Sequence, residues 1–431
     1  EKVHRRFINN EGETASMKSS TSLACTILAL SSISAALGSD NSTHDLKPFR
    51  IDLGAGIPHL QTLLNVTKLP KAPLYPGTSP TYGIDLDDLK AWKYEWEHGY
   101  NWTAQELSLN RFSHFTAQIE DLSIHFVHQK SRVQGAIPVL FLHGWPGSFY
   151  EFEPVIESLT EAFTDSNGST VAFDVIVPSL PGFVFSSAPP FNWTVDDTAR
   201  VFNTLMIDVL GYPAYAIHGT DWGSGVAYSL YSNFNRTVSA ASFVFLPSAS
   251  PTVAEIAAAN VTLSPAEQVT EARGTTWSTI GNGYFLEQTF KPHDIGLALY
   301  DNPVGQLAWI GEKVKLWSDP RAGQSPSVLN STAILNLVSL YYLTETFESA
   351  AWIYAQNPNG FGTPYAKAPT NAPLFFTQYE YNIGSWPEQW VSRVGNLVSY
   401  KVADFGGHFA GLDNPPQFVA DIREMGLFLK Q

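Results

Sequence analysis

Apolar and polar positions change period several times along this chain, and the changes mark its elements. Leu122-Ser123-Ile124-His125-Phe126-Val127-His128 alternates as a half-exposed strand does, whereas Ile137 to Leu142 and Phe173 to Pro178 are continuous apolar runs of the fully buried kind. Ala214 to Ile217 and Ala241 to Phe245 read as further strands, with helical spacing between them. Strands alternating with helices predict an α/β fold built on a mostly parallel sheet with helices on both faces. After Pro247 the pattern is helical over roughly 252–370, which predicts a helical insertion between sheet strands. The sheet resumes at 373–376 and 396–400, and an amphipathic helix over 415–430 ends the chain. Residues 47–118 read as helix and loop, with Asp85 to Trp92 opening a helix rich in acids at its start. No internal repeat or low-complexity linker interrupts the pattern.

The first residues follow another logic. Residues 1–16 are polar and aperiodic, and are set aside from the fold as an unstructured extension. From Met17 a lysine, an apolar run from Leu23 to Leu37 and small residues to Gly38 predict a secretory signal over 17–38. A retained membrane anchor is the rival reading, weakened by the Ser and Thr within the run and by its short length. Eight Asn-x-Ser/Thr sequons, at Asn41, Asn65, Asn101, Asn167, Asn192, Asn235, Asn260 and Asn330, agree with passage through the secretory pathway. The expected organisation is an N-terminal meander over 39–118, a core over 119–248, a lid over 249–370 and a second core part over 371–431.

Composition narrows the function. A hydrophobic fraction of 44% with 12 Trp, 18 Tyr and 27 Phe describes a packed, aromatic-rich protein. A net charge of −15 without a basic block argues against nucleic acid and anionic membranes as partners. The only cysteine, Cys25, falls in the expected signal, so disulfides, thiolate chemistry and metal held through sulfur are not expected. A small uncharged molecule is the expected partner.

Four places along the βα pattern stand out, the fourth being Tyr284 and Tyr354 in the inserted region. Ile217-His218-Gly219-Thr220-Asp221-Trp222-Gly223-Ser224-Gly225 lies between a strand and a helix, with small residues around one acid. This is the layout of a nucleophile elbow with aspartate at the reactive position, although an Asp capping an ordinary helix is the plainer alternative. His143-Gly144-Trp145-Pro146-Gly147-Ser148 follows a buried strand and is placed to aim backbone N–H groups into a site, as an oxyanion hole requires. His408, on the Gly-flanked loop after the last strand, stands where a general base would follow a nucleophile in chain order. Spacing alone does not single out Tyr284 or Tyr354 among the tyrosines.

Taken together, these motifs resemble the epoxide hydrolases of the microsomal type within the α/β-hydrolase superfamily. The resemblance runs from about Pro48 to the C-terminus and rests on Tyr100-Asn101-Trp102 with Glu106, Leu107 and Asn110, on the His143 and Asp221 motifs, on Lys291-Pro292 with Asp301 to Gly305, and on Gly406-Gly407-His408-Phe409. It implies an α/β-hydrolase fold with a helical lid and an enzyme that needs no cofactor. Asp221 would attack the epoxide carbon to give an alkyl-enzyme ester, as a carboxylate can. Tyr284 and Tyr354, phenols with pKa near ~10, would serve the leaving oxygen. His408 would activate water to hydrolyse the ester to a vicinal diol, and the N–H groups of Trp145 and Trp222 would hold the oxyanion. The implied partners are a small apolar epoxide and water, without a stable membrane span after signal removal, and a homodimer is entertained as the assembly.

One position departs from that pattern. The family's charge-relay acid lies eight residues before a Trp, and counting back from Trp390 reaches Asn382. An asparagine can orient an imidazole but cannot supply negative charge. Glu380 is the preferred substitute, with Asp404 as the other. The rival functions are a haloalkane dehalogenase-like hydrolase, which also uses Asp followed by Trp, and a catalytically impaired member acting as a binding protein. A serine esterase is disfavoured because no serine occupies the elbow.

Overall fold

The computed structural model describes residues 44–430. The expected extension and signal, 1–38, lie outside the described residues.

Nine strands form one sheet: β1 (Lys47–Phe49), β2 (His114–Ile119), β3 (Leu122–Gln129), β4 (Ile137–Leu142), β5 (Phe173–Pro178), β6 (Tyr215–Gly219), β7 (Val238–Phe243), β8 (Pro373–Tyr381) and β9 (Asn396–Gly407). Their order in space is β1-β2-β3-β5-β4-β6-β7-β8-β9. The three pairings from β1 to β5 are antiparallel. The five from β5 to β9 are parallel. Because β4 and β6 are interior and flanked by parallel neighbours, Val139 to Leu142 and Tyr215 to Ile217 are all buried, which explains their unbroken apolar character.

Two strands escape the sequence pattern. In β2 the buried positions are His114, Ala117 and Ile119, of which only the last is a strong strand signal. The strand is held by pairing to β3 through a tight turn at Glu120, whose φ is 53°. β1 is only three residues long and pairs along the edge of β2.

Ahead of β2 run α1 (Ile57–Val66), α2 (Leu86–His98) and α3 (Trp102–Leu109). Asp85 caps α2, accepting from the N–H groups of Asp87 and Asp88. Between sheet strands lie α4 (Glu153–Thr160), α5 (Val195–Thr204) and α6 (Asp221–Asn233), where α5 packs on α6. The inserted lid consists of α7 (Val253–Ala258), α8 (Pro265–Thr276), α9 (Gly283–Phe290), α10 (Pro292–Leu299), α11 (Pro303–Trp317), α12 (Ser331–Leu343) and α13 (Phe347–Gln356). The helical run expected to 370 therefore stops at Gln356, before Pro358, Gly360 and Gly362. The last helix, α14 (Pro415–Leu429), packs on α4 and sets Phe418 against Phe141 and His218 of the sheet. Among the described residues no helix is long and apolar enough to cross a membrane.

Candidate active site

Leu142 at the end of β4 pairs with Gly219 at the end of β6, so the turns after these strands leave the sheet side by side. Asp221 follows β6 at φ 46°, a left-handed backbone that a side chain other than glycine seldom adopts. The turn closes because residue 223 is glycine: a Cβ there would lie 2.1 Å from the Leu142 carbonyl oxygen. On the opposite wall, a Cβ on Gly144 would lie 2.1 Å from Asp221 Oδ1, so the carboxylate rests directly on backbone. The N–H of Trp145 donates to that Oδ1 at 2.8 Å. No side chain caps α6, which leaves the first N–H groups of the helix, Trp222's among them, without a side-chain acceptor from the cap residue. His143 holds the turn from behind, with Nδ1 on the Gly144 carbonyl at 3.0 Å and Nε2 accepting from Leu180 N–H at 3.1 Å. Burial lowers its pKa to about 4, so it is a neutral structural group.

His408 follows β9 and hangs partly from the lid. Its N–H donates to the Trp317 carbonyl at 2.8 Å, and the N–H of Gly406 donates to Asp319 Oδ2 at 2.9 Å. Nε2 of His408 lies 3.3 Å from Asp221 Oδ2. Nδ1 lies 3.0 Å from Asn382 Oδ1. The Asn382 amide cannot be turned the other way, because its Nδ2 donates to the Val244 carbonyl at 2.7 Å while its Oδ1 accepts from Ile383 N–H at 2.8 Å. The proton of the imidazole is thereby assigned to Nδ1, and the Nε2 lone pair faces Asp221.

The expectation that Glu380 stands behind the histidine is corrected by this arrangement. The β8–β9 register shifts between Tyr379 and Tyr381, which breaks the strand alternation at Glu380. Its carboxylate faces Arg321 at 3.9 Å instead. Asp404 is exposed, and its backbone carbonyl accepts from Arg321. The asparagine at the family's acid position is the residue that meets His408.

Tyr284 on α9 and Tyr354 on α13 are brought together above this pair, with ring centroids 5.9 Å apart. Tyr284 stacks on Trp145 at 5.2 Å, and Tyr354 meets Trp222 edge-on at 4.9 Å. Burial pushes both phenols well above the usual range, the Asp221 charge adding to it in each and Tyr284 adding to it for Tyr354, so both stay protonated. Phe285 and Phe361 continue the aromatic wall past Trp222, and Phe245 and Trp317 pack edge-on to His408 at 5.3 and 5.2 Å. Within this wall Trp145 Nε1, Trp222 Nε1, the Tyr354 hydroxyl and His408 Nε2 are buried without protein hydrogen-bond partners. Buried polar groups are seldom left so unless a ligand or reacting group uses them. Among the described residues no group of three or more His, Cys, Asp or Glu is arranged to hold a metal ion.

Sequence reasoning does not single out Glu151, a fully buried acid that packs into the His143–Gly147 turn. Its one visible signal is an acid among the aromatics of Phe149-Tyr150-Glu151-Phe152.

Fold and site together define an α/β-hydrolase with an aspartate at the nucleophile elbow. The model of the alpha/beta hydrolase fold matches residues 137–358, and that of the epoxide hydrolase N terminus matches residues 46–152. Juvenile hormone epoxide hydrolase 2 of Ctenocephalides felis is 30% identical, over 88% of this chain and 84% of its own. Epoxide hydrolase 1 of Sus scrofa is also 30% identical, over 81% and 82%. The structure of Aspergillus niger epoxide hydrolase superposes with a TM-score of 0.75 at 33% identity, covering 88% of this chain and 95% of that one. The chain belongs to the epoxide hydrolase family, and it is a hydrolase of the microsomal type.

Proposed function

We propose that the protein opens a small apolar epoxide to a vicinal diol through a covalent ester on Asp221. The observation that carries the reading is the geometry of Asp221: Oδ1 is held by Trp145 N–H while Oδ2 faces His408 Nε2 at 3.3 Å, beneath two protonated tyrosines. In the first half-reaction a carboxylate oxygen of Asp221 displaces the epoxide oxygen at carbon, and Tyr284 or Tyr354 donates a proton to that oxygen. In the second, His408 Nε2 takes a proton from water as its oxygen adds to Asp221 Cγ. The oxyanion is stabilised by the N–H groups of Trp145 and Trp222. The bond from Cγ to the alkyl-bearing oxygen then breaks, His408 returns its proton to the departing diol oxygen, the water oxygen stays on Asp221, and the proton left on that carboxyl passes back to the tyrosinate formed in the first half-reaction. The aromatic wall favours an apolar substrate.

A single turnover of an aryl epoxide in ¹⁸O-labelled water tests this. The diol of the first turnover carries unlabelled oxygen from Asp221; label in that first product would overturn the covalent route.

A dehalogenase-like reading keeps one observation in its favour. The unpartnered indole N–H groups of Trp145 and Trp222 are suitable donors to a departing halide. Halide release from a chloroalkane, without diol from an epoxide, would select it.

The proposal extends to export and N-glycosylation. All seven sequon asparagines within the described residues, Asn65, Asn101, Asn167, Asn192, Asn235, Asn260 and Asn330, are exposed, which an oligosaccharyltransferase product requires. A mobility shift on glycosidase treatment of protein recovered from the medium is the expected result, and an unglycosylated protein retained in the cytosol would overturn it.

A further inference from the structure

Glu151 is a buried acid that the mechanism above does not use. It lies in the single helical turn Phe149–Phe152, with 3% of its surface exposed. Its carboxyl occupies the space beside Gly147 so closely that a Cβ on that glycine would lie 1.3 Å from Oε1. Gly144 and Gly147 are the two ends of Gly144-Trp145-Pro146-Gly147, and the first faces Asp221 Oδ1 in the same way. Two carboxyl groups therefore close on one four-residue turn, each lying in the space that a glycine without a side chain leaves open.

Among the described residues Glu151 takes part in no ion pair; its carboxyl has the Ser148 backbone N–H as a hydrogen-bond donor, and its electrostatic neighbours are Asp221 and Tyr341, whose hydroxyl is spent on the Gly147 carbonyl at 2.7 Å. Burial, reinforced by the Asp221 charge, pushes the carboxyl well above the usual range, so it is neutral when Asp221 is ionised. A buried carboxyl without a charged partner costs stability that an apolar side chain of similar volume would not. The main chain of the turn is fixed to the histidine loop as well: a Cβ on Gly411, three residues beyond His408, would lie 2.5 Å from the Glu151 carbonyl oxygen.

Resting on the covalent reading given above, we propose that Glu151 is a catalytic residue of ester hydrolysis, whose carboxyl accepts one hydrogen of the attacking water while His408 Nε2 takes the other. Two acceptors orient a water molecule so that its lone pair faces Asp221 Cγ; one leaves it free to rotate. The proton removed in the step goes to His408, and Glu151 keeps its own. Epoxide opening involves no water and does not draw on Glu151.

Single-turnover fluorescence, with ester formation and ester decay resolved and the ester confirmed by mass, tests the assignment in the wild type, Glu151→Gln and Glu151→Met. Formation is expected to stay within about threefold in all three. Decay is expected within about threefold for Gln, which keeps a neutral acceptor, and to fall by about thirtyfold or more for Met. Decay in Met at the wild-type rate overturns the role, as does formation that falls in step with decay, which marks a structural residue. Should Met fail to fold, the Gln variant decides alone, since a tenfold loss of its decay rate contradicts a neutral acceptor. A wild type that forms no ester overturns the covalent reading and this role with it, whereas normal ester formation with unaffected decay in Met overturns this role only.

Discussion

His408 donates through Nδ1 to Oδ1 of Asn382 at 3.0 Å, so its imidazole leans on a neutral amide that is itself locked by the Val244 carbonyl and the Ile383 N–H. Orientation and tautomer are secured; the negative charge that would stabilise an imidazolium is not. Asn382→Asp is expected to speed ester decay by about tenfold, because a carboxylate behind the ring stabilises the imidazolium formed in that step, while ester formation changes little. Stopped-flow measurement of the two phases checks this, and a slower decay would contradict it.

Glu380→Gln is expected to leave both half-reactions within about twofold of the wild type, because the carboxylate faces Arg321 and not the histidine. A selective loss of ester decay in this variant would restore Glu380 as the charge-relay acid.

Removal of a single phenol hydroxyl, Tyr284→Phe or Tyr354→Phe, is expected to slow ester formation by about a hundredfold, with the double variant slower still. Decay of an ester once formed should move far less. Equal losses in both phases would show that the hydroxyls support the site generally and not the departing oxygen.

Stability should carry a pH signature from Asp413. This buried carboxyl, which accepts from Asp319 N–H at 2.9 Å, is raised to about 7, first by burial and then by the Asp319 charge. A carboxyl with a folded-state pKa above its unfolded one binds more protons in the folded state between about pH 4 and 7. Its contribution is therefore fully present below pH 4 and is lost as pH rises toward 7. Between pH 6 and 8 the loss is about 1 kcal/mol. Calorimetric unfolding across this range should show a decline that Asp413→Asn flattens, and parallel curves for the two proteins would refute the assignment.

The parallel half of the sheet was legible because its strands are buried on both faces, and the runs at 137–142 and 173–178 coincide with β4 and β5. β2 was not legible, since its buried residues include a histidine and an alanine and do not follow a period of two. At the site, Asp221, His408 and the His143–Gly147 turn could be read because close backbone approach leaves glycines in the sequence. The partner of His408 could not be settled that way. Glu380 and Asn382 are two residues apart, and only the register shift beside Tyr379 decides which of them turns inward. Glu151 was illegible for a related reason: an acid four residues beyond a glycine gives no sign that its carboxyl returns to cover that glycine.

The hydrogen bonds from His408 to Trp317 and from Gly406 to Asp319 tie the end of α11 to the histidine loop. The nucleophile thus belongs to the sheet alone, whereas the base is suspended between sheet and lid. A transplanted or reshaped lid would consequently change more than which epoxide is admitted. Grafting a foreign lid onto this core should yield proteins that still become alkylated but turn over only once, suicide acceptors in place of catalysts, until the Trp317–Asp319 attachment is transplanted with it.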